Sequence, residues 1–69
     1  MKNVYRLVVA DDHTLLRAGL CALLRQESDI EIVGEAANGR DAIQMVGAMS
    51  PQLIIMDLNM PGMNGISLI

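Results

Sequence analysis

Short apolar runs alternate along this chain with stretches whose apolar residues recur every three or four positions. The β-rich run Tyr5–Ala10 ends in polar residues and predicts a first strand, β1. From Thr14 the period changes. Leu16, Leu20, Leu23 and Leu24 fall at i, i+4, i+7 and i+8, one face of a helix, α1, with Arg17 and Arg25 elsewhere on the wheel. After the break at Ser28-Asp29, the residues Ile30, Ile32, Gly34 and Ala36 alternate with Glu31, Val33 and Glu35. That period of two, with charges on one side, predicts an edge strand over 30–36, β2. Asn38-Gly39 opens a second helix, α2, with Asn38 as its N-cap and Asp41 in the first turn, where the helix dipole favours negative charge. Ala42, Met45, Val46 and Met49 form its apolar stripe, and Ser50-Pro51 ends it, because proline disfavours helix in the residue before it. Leu53-Ile54-Ile55-Met56 predicts a third strand, β3. The loop Asn59-Met60-Pro61-Gly62-Met63-Asn64-Gly65 follows, and Ile66 to Ile69 reads as the first turn of a third helix, α3.

Strands alternating with helices are the signature of successive βαβ units, whose crossovers are right-handed. The charged β2 belongs at an edge and the two apolar strands inside, which gives a parallel sheet of order 2-1-3 with helices on both faces. The chain path reverses between β1 and β3, and ligands of open α/β sheets bind at such a switch point, beyond the carboxyl ends of the strands. Asp11 and Asp12 directly follow β1, and Asp57 directly follows β3. Three carboxylates are thus expected at one spot. Like charges that close repel one another unless a cation or a proton intervenes, so the cluster is either a metal site or a group of loop aspartates spread into solvent.

Composition narrows the partners. The 69 residues amount to one small domain at most, and a chain of that size buries only about 60% of its unfolded surface, so it is marginal alone. With no Trp or Phe and a single Tyr, the core must be built from aliphatic residues, alanine and methionine. The net charge is -3, and the basic residues Lys2, Arg6, Arg17, Arg25 and Arg40 are dispersed, unlike the clustered footprint of a nucleic-acid binder. The lone Cys21 precludes an internal disulfide and agrees with a reducing compartment. No segment approaches about 18 uninterrupted apolar residues, so no membrane partner is expected and a cytoplasmic protein is.

A phosphate-binding loop would carry glycines and a lysine, whereas carboxylates repel phosphate until something positive arrives. Magnesium is a hard ion held by one or two carboxylates while keeping several waters, and it bridges to phosphate oxygens. Beside it, a carboxylate can act as nucleophile toward a phosphoryl group. Asp57 is the better nucleophile candidate, since a buried strand leading straight into it fixes its position.

The segments Val8-Val9-Ala10-Asp11-Asp12-His13 and Ile55-Met56-Asp57-Leu58-Asn59-Met60-Pro61-Gly62-Met63-Asn64-Gly65 resemble the two N-terminal motifs of a bacterial two-component response-regulator receiver domain. Asp-Asp-His and Ile32-Val33-Gly34-Glu35-Ala36-Ala37-Asn38-Gly39 resemble the NarL/FixJ subgroup. The resemblance covers nearly every residue. It implies a flavodoxin-like fold, truncated: residues 1–69 would be a partial receiver, β1-α1-β2-α2-β3 and the start of α3, without the DNA-binding output domain of that subgroup. It implies that Asp57 accepts phosphate from a sensor histidine kinase. It further implies that Asp12 and Asp57 bind Mg2+ directly, that Asp11 helps through water, that the Asn59 backbone carbonyl adds a ligand, and that Pro61 and Gly65 shape the following loop. A complete receiver also uses a Ser/Thr and a lysine from its second half. The only lysine here, Lys2, precedes β1 and cannot take that place.

Two functions follow as expectations: a phosphoacceptor module for transcription-regulating signal transduction, impaired by truncation and not an enzyme, or a non-signalling interaction fragment with a relic acidic site. A phosphohydrolase with an aspartyl nucleophile would want a second aspartate two positions on, where Asn59 stands. An open, apolar β3 edge is expected to drive self-association, most simply as a dimer. His13 reads as an exposed side chain at a helix start, Met45, Met49 and Met56 as core filler, and Cys21 as a small buried or half-buried residue. Arg17, Arg25 and Arg40 read as solvated, and Gly34 as permitting close packing.

Overall fold

A computed structural model describes residues 3–57. Its elements run β1 (Tyr5–Ala10), α1 (Thr14–Leu24), β2 (Ile30–Ala36), α2 (Gly39–Met49) and β3 (Leu53–Met56). The three strands form a parallel sheet in the order β2-β1-β3, as the pattern of the sequence predicts. The loop from Asn59 and the turn predicted over Ile66 to Ile69 lie outside the described residues.

The central strand is the most deeply buried one. Leu7, Val8, Val9 and Ala10 are all buried, because β1 has a strand on either side and a helix over each face. On one face Leu7 and Val9 pack with Cys21 of α1, joined by Leu20, Leu24, Ile30 and Ile32. On the other, Ala10, Ala36 and Ala42 make an alanine cluster against which Met56 packs. A Cβ at Gly34 would lie 2.8 Å from the Met45 sulfur, so its bare backbone lets α2 approach β2 closely.

The uniform alternation expected of β2 is interrupted. The register with β1 runs Leu7 to Ile32 and then Val8 to Gly34, so Val33 is the extra residue of a β-bulge. A bulge reverses which side chains face which layer. Ile30 and Ile32 join the α1 layer, Ala36 joins the α2 layer, and Glu35, in register with Val9, is turned under α1.

The apolar face of α1 is also rotated from the expected one. Leu20 and Leu24 do face the core, but Leu16 is 60% exposed and Leu23 is 65% exposed, with Cys21 the buried residue between them. The helix covers β1 and β2 and does not reach β3. Leu15, Leu16, Gly19, Leu20 and Leu23 therefore line an open apolar groove, and Leu53 and Ile55 of β3 remain exposed.

The α2 helix carries both of its expected end signals. The Asn38 side chain accepts the Asp41 N–H at 2.8 Å, and Asp41 sits in the first turn. Its C-cap, Ser50, adopts a left-handed conformation with φ 45°, returning its N–H to the Val46 carbonyl at 3.0 Å before Pro51. Among the described residues no helix is long and apolar enough to cross a membrane.

Candidate metal centre

The acidic residues owe their positions to the sheet ladder continuing one residue past each strand. The Asp57 N–H donates to the Ala10 carbonyl at 3.0 Å, and the Asp11 N–H donates to the Ala36 carbonyl at 2.9 Å. With Ala10 opposite Met56 in the parallel register, the residues that follow them emerge side by side. The tip of β1 is thus fixed to β2, and the tip of β3 to β1. Ligand atoms of Asp11, Asp12, His13 and Asp57 all lie within 4.8 Å of one another.

Three of these four are the described site residues that the sequence nominates, and the structure brings all three together. The fourth nominated ligand, the Asn59 carbonyl, lies outside the described residues. His13 enlarges the expected set. Its ring is exposed at the start of α1, as expected, yet Nδ1 stands 2.9 Å from Asp11 Oδ1, 3.2 Å from Asp12 Oδ1 and 3.8 Å from Asp57 Oδ2. Its position directly after two aspartates was the available signal.

The electrostatics follow from this packing. Asp11 Oδ1 accepts the His13 backbone N–H at 2.8 Å, and that bond, followed by the one to the ring, holds the Asp11 carboxyl below its ordinary pKa. The same ring contact, reinforced by the charges of Asp12 and Asp11, raises the His13 pKa. Protonated, the imidazole supplies positive charge to the three carboxylates.

The donor set suits a hard divalent cation. Carboxylate oxygens from two neighbouring strand tips converge at partly exposed positions, leaving room for the waters that magnesium retains. The other sequence candidates are structural. Cys21 is buried, and burial pushes its thiol pKa up, away from reactivity. Met45, Met49 and Met56 are half-buried beneath α2 or on β3. Arg25 and Arg40 are exposed as expected. Arg17 is not: its side chain is 17% exposed and bonded within the fold.

Comparison with known proteins places these observations in a family. The model of the response regulator receiver domain matches residues 7–69. The nitrate/nitrite response regulator protein NarL of Escherichia coli is 47% identical over 60 residues, covering 87% of this chain and 28% of that protein. The signal receiver domain of the putative response regulator NarL from Mycobacterium tuberculosis superposes with a TM-score of 0.85 at 38% identity, covering 91% of this chain and 51% of that one. The isolated receiver domain of RcsB from Salmonella enterica, solved with the phosphomimetic BeF3-, gives a TM-score of 0.83 at 29% identity over 90% of this chain and 45% of that one. The chain therefore spans between about a quarter and a half of the length of these relatives.

Proposed function

Because this chain belongs to the response-regulator receiver family, in its NarL/FixJ-like branch, we propose that it is a phosphoacceptor module whose Asp57 takes a phosphoryl group from a sensor histidine kinase. The observation that carries the reading is the convergence of Asp11, Asp12 and Asp57 ligand atoms at the carboxyl ends of adjacent parallel strands. The use of a phosphomimetic with the related RcsB domain supports the same chemistry.

In this reading Asp12 and Asp57 hold Mg2+, with Asp11 acting through water and the Asn59 carbonyl added on the family pattern. Bound magnesium supplies the positive charge that lets an anionic phosphoryl group approach three carboxylates. An Asp57 carboxylate oxygen then attacks phosphorus while the bond from phosphorus to the donor imidazole nitrogen breaks, and the imidazole regains a proton. The ladder bond from the Asp57 N–H to Ala10 limits how far the nucleophile can swing. The protein serves as substrate and switch rather than as an enzyme, in the cytoplasm, with transcription regulation as its output.

A small-molecule acyl phosphate tests the chemistry. Magnesium-dependent incorporation of phosphate, lost on chelation and in Asp57→Asn, is expected; a folded sample that takes up none would contradict the proposal and favour an interaction fragment with a relic site. The half-exposed Leu53 and Ile55 support a further part of the reading, self-association in which two β3 edges pair. Sedimentation should then show mass rising with concentration, and a monomer throughout would refute this part.

A further inference from the structure

We propose that Arg17 is a positioning residue of the acidic site: held by Glu35 of β2, its guanidinium grips the Asp11 carbonyl and fixes the loop bearing Asp11, Asp12 and His13 opposite Asp57. The inference rests on the magnesium and phosphoacceptor reading above and adds a residue that lies outside the ligand set.

The geometry is that of a latch between three segments. Arg17 Nη1 donates to the Asp11 carbonyl at 2.6 Å, and Nε lies 3.3 Å from Glu35 Oε1. The first is a charge-assisted bond made in a part-buried place, where solvent screens it less than at an open surface. With the Asp11 N–H already given to Ala36, Arg17 secures the other end of the same residue. Asp11 is then held by its backbone on both sides, its carboxylate is directed to the His13 N–H, and the loop has little freedom to turn away from Asp57.

The bulge at Val33 is what makes the latch available. By turning Glu35 under α1, it sets a carboxylate beside Arg17 and also beside Arg25, whose Nη2 lies 3.3 Å from Glu35 Oε2. Arg17, Cys21 and Arg25 recur every fourth residue on one stripe of α1, with buried Cys21 between the two arginines. Only Arg17 reaches the acidic loop. Arg25 therefore serves as an internal control, since it shares Glu35 and the same helix face.

Calorimetric titration of the full chain with Mg2+ tests the assignment, with circular dichroism confirming that each variant is folded. Arg17→Met is expected to weaken magnesium binding about tenfold, as loss of an outer-shell partner does. Glu35→Gln should weaken it less, and Arg25→Met should leave it unchanged. Wild-type affinity in folded Arg17→Met, or an equal loss in Arg25→Met, would overturn the proposal. Arg17→Lys, which keeps the charge without the fork that bridges two partners, decides the matter if Arg17→Met does not fold: weakened binding supports the latch and wild-type binding refutes it. Hydrogen exchange of the His13 amide, measured without metal, separates the two levels of inference. If the wild type binds no magnesium, the metal reading falls, whereas the latch stands if exchange is faster in Arg17→Met than in Arg25→Met and falls if the two agree.

Discussion

The two helices have equal lengths, 11 residues each, and flank the same sheet, but they begin and pack differently. The α2 helix starts on the Asn38 cap, ends on a left-handed Ser50, presses Ala42 into an alanine cluster and lays Met45 against Gly34. At the head of α1, His13 makes no side-chain cap bond, and its N–H and ring turn back to the Asp11 carboxylate. The lower half of α1 seals the sheet through Cys21, while Leu15, Leu16 and Leu23 stay outside. One helix thus supports the fold with local signals of its own, whereas the other takes its position from the acidic loop it helps to hold.

The widest gap between the two should appear in packing. Ala42→Leu inserts three carbons where no space exists and should cost about 1–3 kcal/mol, enough to unfold much of a marginal chain, whereas Leu23→Ala on the exposed side of α1 should shift stability by no more than about 0.5 kcal/mol. Urea denaturation followed by circular dichroism compares them directly; equal losses would erase the distinction.

Helix starts come next. Asn38→Ala should destabilise by about 1 kcal/mol through loss of the bond to the Asp41 N–H. The counterpart at α1 should be sensitive to pH instead. His13 has a raised pKa when folded, so its contribution is fully present below the ordinary histidine pKa of about 6.5 and is lost as pH rises through the folded value. Asp11 has a lowered pKa, so its contribution holds above the ordinary aspartate range and is lost as pH falls through the folded value. Metal-free protein should therefore lose stability as pH climbs above about 6.5, and His13→Ala should flatten that limb. A slope equal to that of wild type in His13→Ala would contradict the ring's place among the carboxylates.

The smallest effect belongs to the end of α2. Ser50→Gly relieves a left-handed conformation and should stabilise by about 0.5 kcal/mol, read as a slightly higher urea midpoint.

Much of this architecture was legible because its signals are local. Continuous apolar runs marked β1 and β3, Asn38 and Pro51 bounded α2, and the edge character of β2 gave the strand order. Those three together place Asp11, Asp12 and Asp57 at one end of the sheet. The features that escaped prediction depend on distant partners. The bulge at Val33 reflects how β2 meets β1, and nothing in Ile30 to Ala36 announces that the alternation reverses midway. The leucine pattern of α1 specifies an apolar stripe without saying how much of it the sheet will cover, so Leu16 and Leu23 lie exposed where that stripe placed them inward, while Cys21 is buried as expected. Arg17 looked like a solvated charge because its partners, the Asp11 carbonyl and Glu35, lie 6 and 18 residues away in sequence.

A phosphoacceptor site requires that the tips of β1 and β3 share one divalent ion. Titrating nitrogen-labelled protein with substoichiometric Mn2+, a paramagnetic stand-in for magnesium, and following amide resonances addresses this without any phosphodonor. The amides of Asp11, Asp12, His13 and Asp57 should broaden together with a common midpoint, with excess Mg2+ restoring them all. Broadening confined to one of the two loops, or spread evenly over the acidic surface, would contradict a shared site.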